Sequence, residues 1–152
     1  VYSFEPLYHD IEKVNLIHVK NVKVYPYAVS DVSEELTMIT RAGNTGLSLI
    51  LTEETKHYKT RPGYVAREIK MQTVPVDDYN FTEIDFIKLD TEGFVLRPLK
   101  GMIKTLENNN WPLLQIEFNN LNPNTEECFK YLKSLNYTKV DQFHVDYFFQ
   151  RV

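Results

Sequence analysis

The chain has 152 residues, enough for one domain with a sizeable core. At 43% hydrophobic and 25% charged, its composition is that of a globular protein and excludes disordered and fibrous classes. A net charge of −4 argues against the basic stripe of a nucleic-acid binder, and one cysteine excludes an internal disulfide or a cysteine-based zinc cluster. The longest strongly apolar run, Leu47 to Leu51 with Ser48 inside it, is too short to insert in a membrane. A soluble, reducing, cytoplasmic setting is the expectation.

In chain order, Val1 to Phe4 reads as a strand with no turn before it, ended by Glu5-Pro6. Leu7, Ile11, Val14 and Ile17 follow helical spacing to about Val19. Val22 to Val29 reads as one strand, with Pro26 suggesting an edge or an irregular ladder. Strand, helix, strand is the rhythm of a parallel sheet. Glu35–Thr40 and Leu47–Thr52 read as a hairpin around Gly43 to Gly46, and residues 53–64 as a polar loop. A strand is expected from Arg67 to Val76, a short turn or helix over Val76–Tyr79, and a compact strand from Phe86 to Asp90. A helix over Gly93–Glu107, interrupted by Pro98, leads to a strand at Leu113–Phe118. Thr125–Leu135 is predicted helical, and Lys139-Val140 and Val145–Gln150 close the chain as two short strands.

In a parallel α/β sheet, ligands bind outside the C-terminal ends of the strands. Three predicted strands end there in acid, at Glu5, Asp90 and Glu117, with Asn119 and Asn120 just beyond. An acid after the second strand of a nucleotide-type fold suits a ribose diol, because each carboxylate oxygen can accept one hydroxyl proton. The competing reading of Glu5 is a solvated strand end.

Phe4-Glu5-Pro6, Ala28-Val29-Ser30-Asp31, Val74 to Tyr79 (VPVDDY), Lys88 to Gly93 (KLDTEG), Leu99-Lys100-Gly101 and Gln115 to Phe118 (QIEF) occur in one order. Together they resemble the FkbM family of S-adenosylmethionine-dependent methyltransferases. The resemblance runs from Phe4 to about Asn119 and lies in the ordered set, since no single motif is specific. It implies a class I methyltransferase, Rossmann-like α/β fold: a mostly parallel sheet with a terminal antiparallel strand, and residues 1–152 as one methyltransferase-like domain.

The resemblance further implies that Glu5, with Pro6 turning the chain behind it, holds the ribose hydroxyls of S-adenosylmethionine. Ala28 and Val29 would lie beside the adenine. Asp90 would sit near the methionine end or the acceptor hydroxyl, where it is the best-placed base. Glu92 and Gly93 would shape the turn into the next helix; a helix-dipole charge is the equal alternative for Glu92. The glycine-rich motif and first central strand that the family places before the FEP strand are absent. The chain is therefore read as N-terminally truncated, with unpaired inner edges where that strand would run.

Other candidates weigh less. His9, His18, His57 and His144 lack metal-ligand spacing, so no metal site is expected; His57, in the polar loop, is a minor candidate for the catalytic base. Cys128 reads as a small buried hydrophobe, Trp111 as a core anchor, and Asp77-Asp78 as caps or solvated charges. The implied reaction is methyl transfer to an oxygen, such as a sugar hydroxyl of a glycan or a small molecule; oligomeric state is left open. Two alternatives stand: a non-catalytic relic or interaction module, and a nicotinamide-dependent oxidoreductase.

Overall fold

The computed structural model describes residues 1–7, 18–41, 44–53, 55–56, 67–119 and 124–152, with the side chains of residues 41 and 44–47 left aside. Residues 8–17 of the predicted helix after Pro6, and His57, lie outside the described residues. Among the described residues there are ten strands: β1 (Tyr2–Phe4), β2 (Lys23–Tyr25), β3 (Ala28–Val29), β4 (Glu35–Arg41), β5 (Asn44–Ile50), β6 (Arg67–Val74), β7 (Phe86–Leu89), β8 (Leu113–Glu117), β9 (Tyr137–Phe143) and β10 (Asp146–Arg151). The helices are α1 (Leu96–Lys100), α2 (Ile103–Asn108) and α3 (Thr125–Ser134), with a 3-10 turn at Val76–Tyr79. No helix among the described residues is long and apolar enough to cross a membrane.

The expectation of one mostly parallel sheet is corrected. Strands fall into three groups, β1-β2, β7-β8-β10-β9 and β3-β6-β4-β5. Parallel ladders join β1 to β2, β3 to β6 and β7 to β8; antiparallel ones join β4 to β5, β4 to β6, β8 to β10 and β9 to β10. The cause is local. Parallel neighbours need a crossover, whereas the consecutive strands β4-β5 and β9-β10 pair directly as hairpins and bring antiparallel edges with them. The expected strand at residues 22–29 is likewise two strands in different sheets. Pro26 has no amide hydrogen for a ladder, and the chain bends at Pro26-Tyr27.

β1 forms no ladder with β7 among the described residues. Aromatic rings join these parts instead. Tyr2 stacks on Phe81 at 4.0 Å, and Tyr79 meets Tyr25 at 4.7 Å and Phe4 at 5.3 Å.

The main core lies where β7, β8 and β10 meet the helices: Leu89, Val95, Leu99, Met102, Leu106, Leu114, Ile116, Cys128, Leu132 and Phe149 are buried together. Strand alternation on β8 gives Leu114 and Ile116 to this face. Cys128 and Trp111 take the expected packing roles. A second cluster, Ala28, Met38, Ile50 and Met71, seats the β4-β5 hairpin against β3 and β6.

The break in the 93–107 helix falls at Gly101-Met102 rather than at Pro98. Pro98 lies in the first turn of α1, where a helix amide lacks an internal partner anyway. At Gly101 a Cβ would stand 1.8 Å from the Ser30 carbonyl oxygen, so only glycine lets α1 approach the end of β3. Asp77 then caps α2, its carboxylate accepting hydrogen bonds from the amides of Lys104 (3.1 Å) and Thr105 (2.7 Å).

Candidate functional site

Glu5 stands at the rim because β1 ends one residue earlier and Pro6 turns the chain away. Its amide donates to the Tyr25 carbonyl (2.9 Å), and its Oε1 accepts the Leu7 amide at 2.7 Å. β3 supplies Ala28 and Val29, and Asp90 follows the last residue of β7. One cavity of about 270 Å³ is lined by Glu5, Pro6, Ala28, Val29 and Asp90, and by Thr91, Glu92 and Phe94. Every described residue that the sequence nominated for the cofactor thus faces a single cleft. Phe4 and Leu7 flank Glu5 in the lining, and the rest of the wall, Met38, Ser48 and Ile50, comes from the β4-β5 hairpin. No local motif marks those residues, because only the fold of the hairpin over β3 brings them there.

One end of the cleft is strongly acidic. Carboxylate oxygens of Asp90, Glu92 and Glu117 lie within 4.8 Å of one another. Lys88 Nζ donates to Asp90 Oδ2 at 2.8 Å, so Asp90 carries a cationic partner in a partly exposed pair. Asn119 Nδ2 bridges the other two, donating to Glu92 Oε2 (3.1 Å) and Glu117 Oε1 (2.6 Å). Burial, joined by the charges of Glu117 and Asp90, pushes the Glu92 carboxyl up to about 7, with the Asn119 hydrogen bond opposing it. Burial raises Glu117 as well.

Glu92 is not a helix-dipole charge, since α1 begins only at Leu96. It sits in a tight turn closed by the Phe94 amide on the Thr91 carbonyl (3.1 Å), and both central residues have positive φ, 49° at Glu92 and 92° at Gly93. Glutamate is disfavoured in that conformation, which costs about 1–3 kcal/mol. The Glu-Gly pair was the available signal, and the turn sends the carboxyl toward Asn119 instead of solvent.

Asp31, at the end of the AVSD motif, has a different job. Arg97 Nε donates to Asp31 Oδ1 at 2.5 Å and its Nη2 pairs with Glu34. Burial raises the Asp31 pKa, but the hydrogen bond and charge of Arg97 outweigh it and hold the carboxyl below its usual value. The pair locks α1 to the loop after β3.

A second cavity of about 140 Å³ adjoins the first and shares Ile50, Glu92 and Phe94 with it. Thr52, Thr55, Arg97 and Asn124 give it polar walls.

A family model described as the methyltransferase FkbM domain matches residues 1–139. The chain belongs to this family. A solved structure, the methyltransferase FkbM from Methylobacillus flagellatus KT, superposes with a TM-score of 0.60 at 16% identity. The match covers 98% of the present chain and 36% of that protein, so the FkbM domain here spans about a third of its length. At that identity the likeness establishes a shared α/β fold. No curated protein matches the chain.

Proposed function

We propose that this FkbM domain is an O-methyltransferase that uses S-adenosylmethionine and acts on a hydroxyl of a small molecule or glycan. The observation that carries the reading is the single cleft that gathers Glu5, Ala28, Val29 and Asp90 from three separate strand ends. The donor set fits the cofactor: a carboxylate for a diol at one end, an apolar wall of Ala28, Val29, Met38 and Ile50 for a flat base, and a carboxylate-rich end for a cation. When bound, S-adenosylmethionine supplies an electrophilic methyl group on a sulfonium sulfur.

Glu5 accepts the two ribose hydroxyls while keeping the Leu7 amide. Ala28 and Val29 flank the adenine. Asp90, its charge balanced on one side by Lys88, takes the positively charged methionine end in place of the basic role expected for it from sequence. Because the methyl donor arrives activated, the protein's contribution is chiefly alignment, worth on the order of 7–11 kcal/mol.

Calorimetric titration of the purified protein with S-adenosylhomocysteine tests the reading. A dissociation constant in the micromolar range, about −8 kcal/mol, is expected, with no displacement by NAD. Absence of binding at millimolar ligand leaves a non-catalytic module, and displacement by NAD favours an oxidoreductase.

A further inference from the structure

We infer that Glu92, at the junction of the two cavities, is the residue that takes the proton from the methyl acceptor, and that the smaller cavity seats this acceptor. The inference rests on the methyl-transfer reading above and assigns the base within it.

The geometry comes first. Glu92 lines both cavities, whereas Glu5, Ala28 and Asp90 line only the larger one and Thr52, Thr55 and Arg97 only the smaller. A group that serves two reactants must touch both spaces, and among the described carboxylates only Glu92 does. The smaller cavity is built to hold a polar guest in one place. Its threonine wall is fixed by hydrogen bonds: Thr55 Oγ1 donates to the Ile50 carbonyl at 2.7 Å and accepts the Thr52 amide at 2.8 Å. Arg97, which lines the same cavity as Glu92, is clamped by Asp31 and Glu34 and lies 5.6 Å from the centroid of the Phe94 ring. A lining that combines hydroxyl, amide and guanidinium groups with the Phe94 ring suits a hydroxylated compound that also carries an apolar face.

The surrounding charges then favour proton uptake. Asp90 from the end of β7 and Glu117 from the end of β8 face Glu92, with Asp146 of β10 behind Glu117. The nearby cations are Lys88, spent on Asp90, and Arg97, spent on Asp31 and Glu34. Glu92 therefore has anionic neighbours and no ion-pair partner of its own among the described groups. A carboxylate in that setting is a stronger base than an ordinary glutamate, and its midpoint near neutrality is where a general base works best. As the acceptor oxygen bonds to the methyl carbon, the carbon–sulfur bond breaks with its electron pair left on sulfur, and Glu92 takes the hydroxyl proton and later yields it to solvent.

Proton exchange on binding gives a test that does not depend on turnover. Calorimetry at pH 7 in phosphate and in Tris reads the protons released when S-adenosylmethionine binds. A sulfonium beside Glu92 drives it to ionise, so release of up to about half a proton beyond that seen with neutral S-adenosylhomocysteine is expected. In Glu92→Gln this excess should vanish while affinity for S-adenosylhomocysteine stays within about threefold. An excess that is equal in the variant, or absent from the wild type, overturns the inference while leaving cofactor binding standing. Failure of the wild type to bind S-adenosylhomocysteine removes the methyl-transfer reading and this one with it. Methylation of methyl α-glucoside between pH 5 and 9 gives a second reading where that probe is accepted. Wild-type kcat should rise to a plateau with a midpoint below the free-enzyme value of about 7, since kcat reports the cofactor-bound enzyme, in which the sulfonium favours ionised Glu92; Glu92→Gln should be roughly 10²- to 10⁴-fold slower without that inflection, and Glu92→Asp should recover part of the rate. A retained inflection in Glu92→Gln overturns the assignment.

Discussion

Replacing Glu5 by alanine removes two things at once. The proposed diol contact is worth about 1.5–3 kcal/mol, so affinity for S-adenosylhomocysteine should fall roughly 10- to 150-fold. The Leu7 amide also loses its acceptor, which adds a stability loss of about 1 kcal/mol that strand position alone does not predict. Glu5→Gln keeps one acceptor oxygen and should lose less of both. Titration calorimetry with chemical denaturation separates the two effects, and unchanged affinity in Glu5→Ala removes the ribose assignment. Glu92 works in the opposite sense. Its folded pKa of about 7 lies above the ordinary value of 4.5, so between those pH values the folded state holds more protons than the unfolded one. Stability therefore falls as pH rises, with the penalty absent below about 4.5 and complete above about 7. The ceiling is about 3 kcal/mol, and partial solvent screening reduces it to about 1–2 kcal/mol. Glu92→Gln should melt with the wild type at pH 5 and about 2–6 °C above it at pH 8. A variant that is no more stable at pH 8 would show that Glu92 bears no electrostatic penalty.

Among the elements, the short α1 decides how closely the cleft wall is held. Gly101 allows the contact with the Ser30 carbonyl, and Ser30, fully buried, bonds through its amide to the Val74 carbonyl at 3.0 Å. Gly101 has φ −81°, which alanine tolerates, so Gly101→Ala isolates the steric clash. A loss of about 3 kcal/mol is expected from denaturant midpoints, together with weaker cofactor binding, because Val29 and Ser30 are adjacent in the chain. A loss below 1 kcal/mol would mean that α1 can shift without cost. The Leu-Lys-Gly motif thus has a packing reason that spacing does not reveal. Pro98 attracted the expected break because a proline interior to a helix is disruptive, but its penalty disappears in a first turn.

At the scale of the molecule, rings attach the β1-β2 pair to the main core, with no ladder between them among the described residues. Phe81 touches Tyr2, Tyr25 and Tyr79 and packs on the main core. Its ring is only partly buried, so Phe81→Ala should cost about 2 kcal/mol, less than a full core truncation. That cost should fall on one region: amide exchange at Phe4 and Tyr25 should speed up roughly 30-fold, with Leu114 and Ile116 nearly unchanged. Cofactor affinity should drop too, since Glu5 rides on β1. Uniform acceleration across β8 and β10 would show that the two regions unfold as one unit.

By itself the sequence determined the order of most elements, the family and the strand-end residues that share the cleft. Those signals are local: alternation and helical spacing report which face is buried, and Glu5, Asp90 and Glu117 each stand at a strand end inside a short motif of its own. Only the tertiary structure decided that Val22–Val29 divides between two sheets, that the hairpin walls the cleft, and that Lys88 pairs with Asp90 while Asn119 bridges Glu92 and Glu117. Partners for sheet edges are set by long-range packing, and the charge state of a carboxyl is set by neighbours from distant parts of the chain. Glu92 and Asn119 are 27 positions apart, and it is the parallel pairing of β7 with β8 that makes them neighbours.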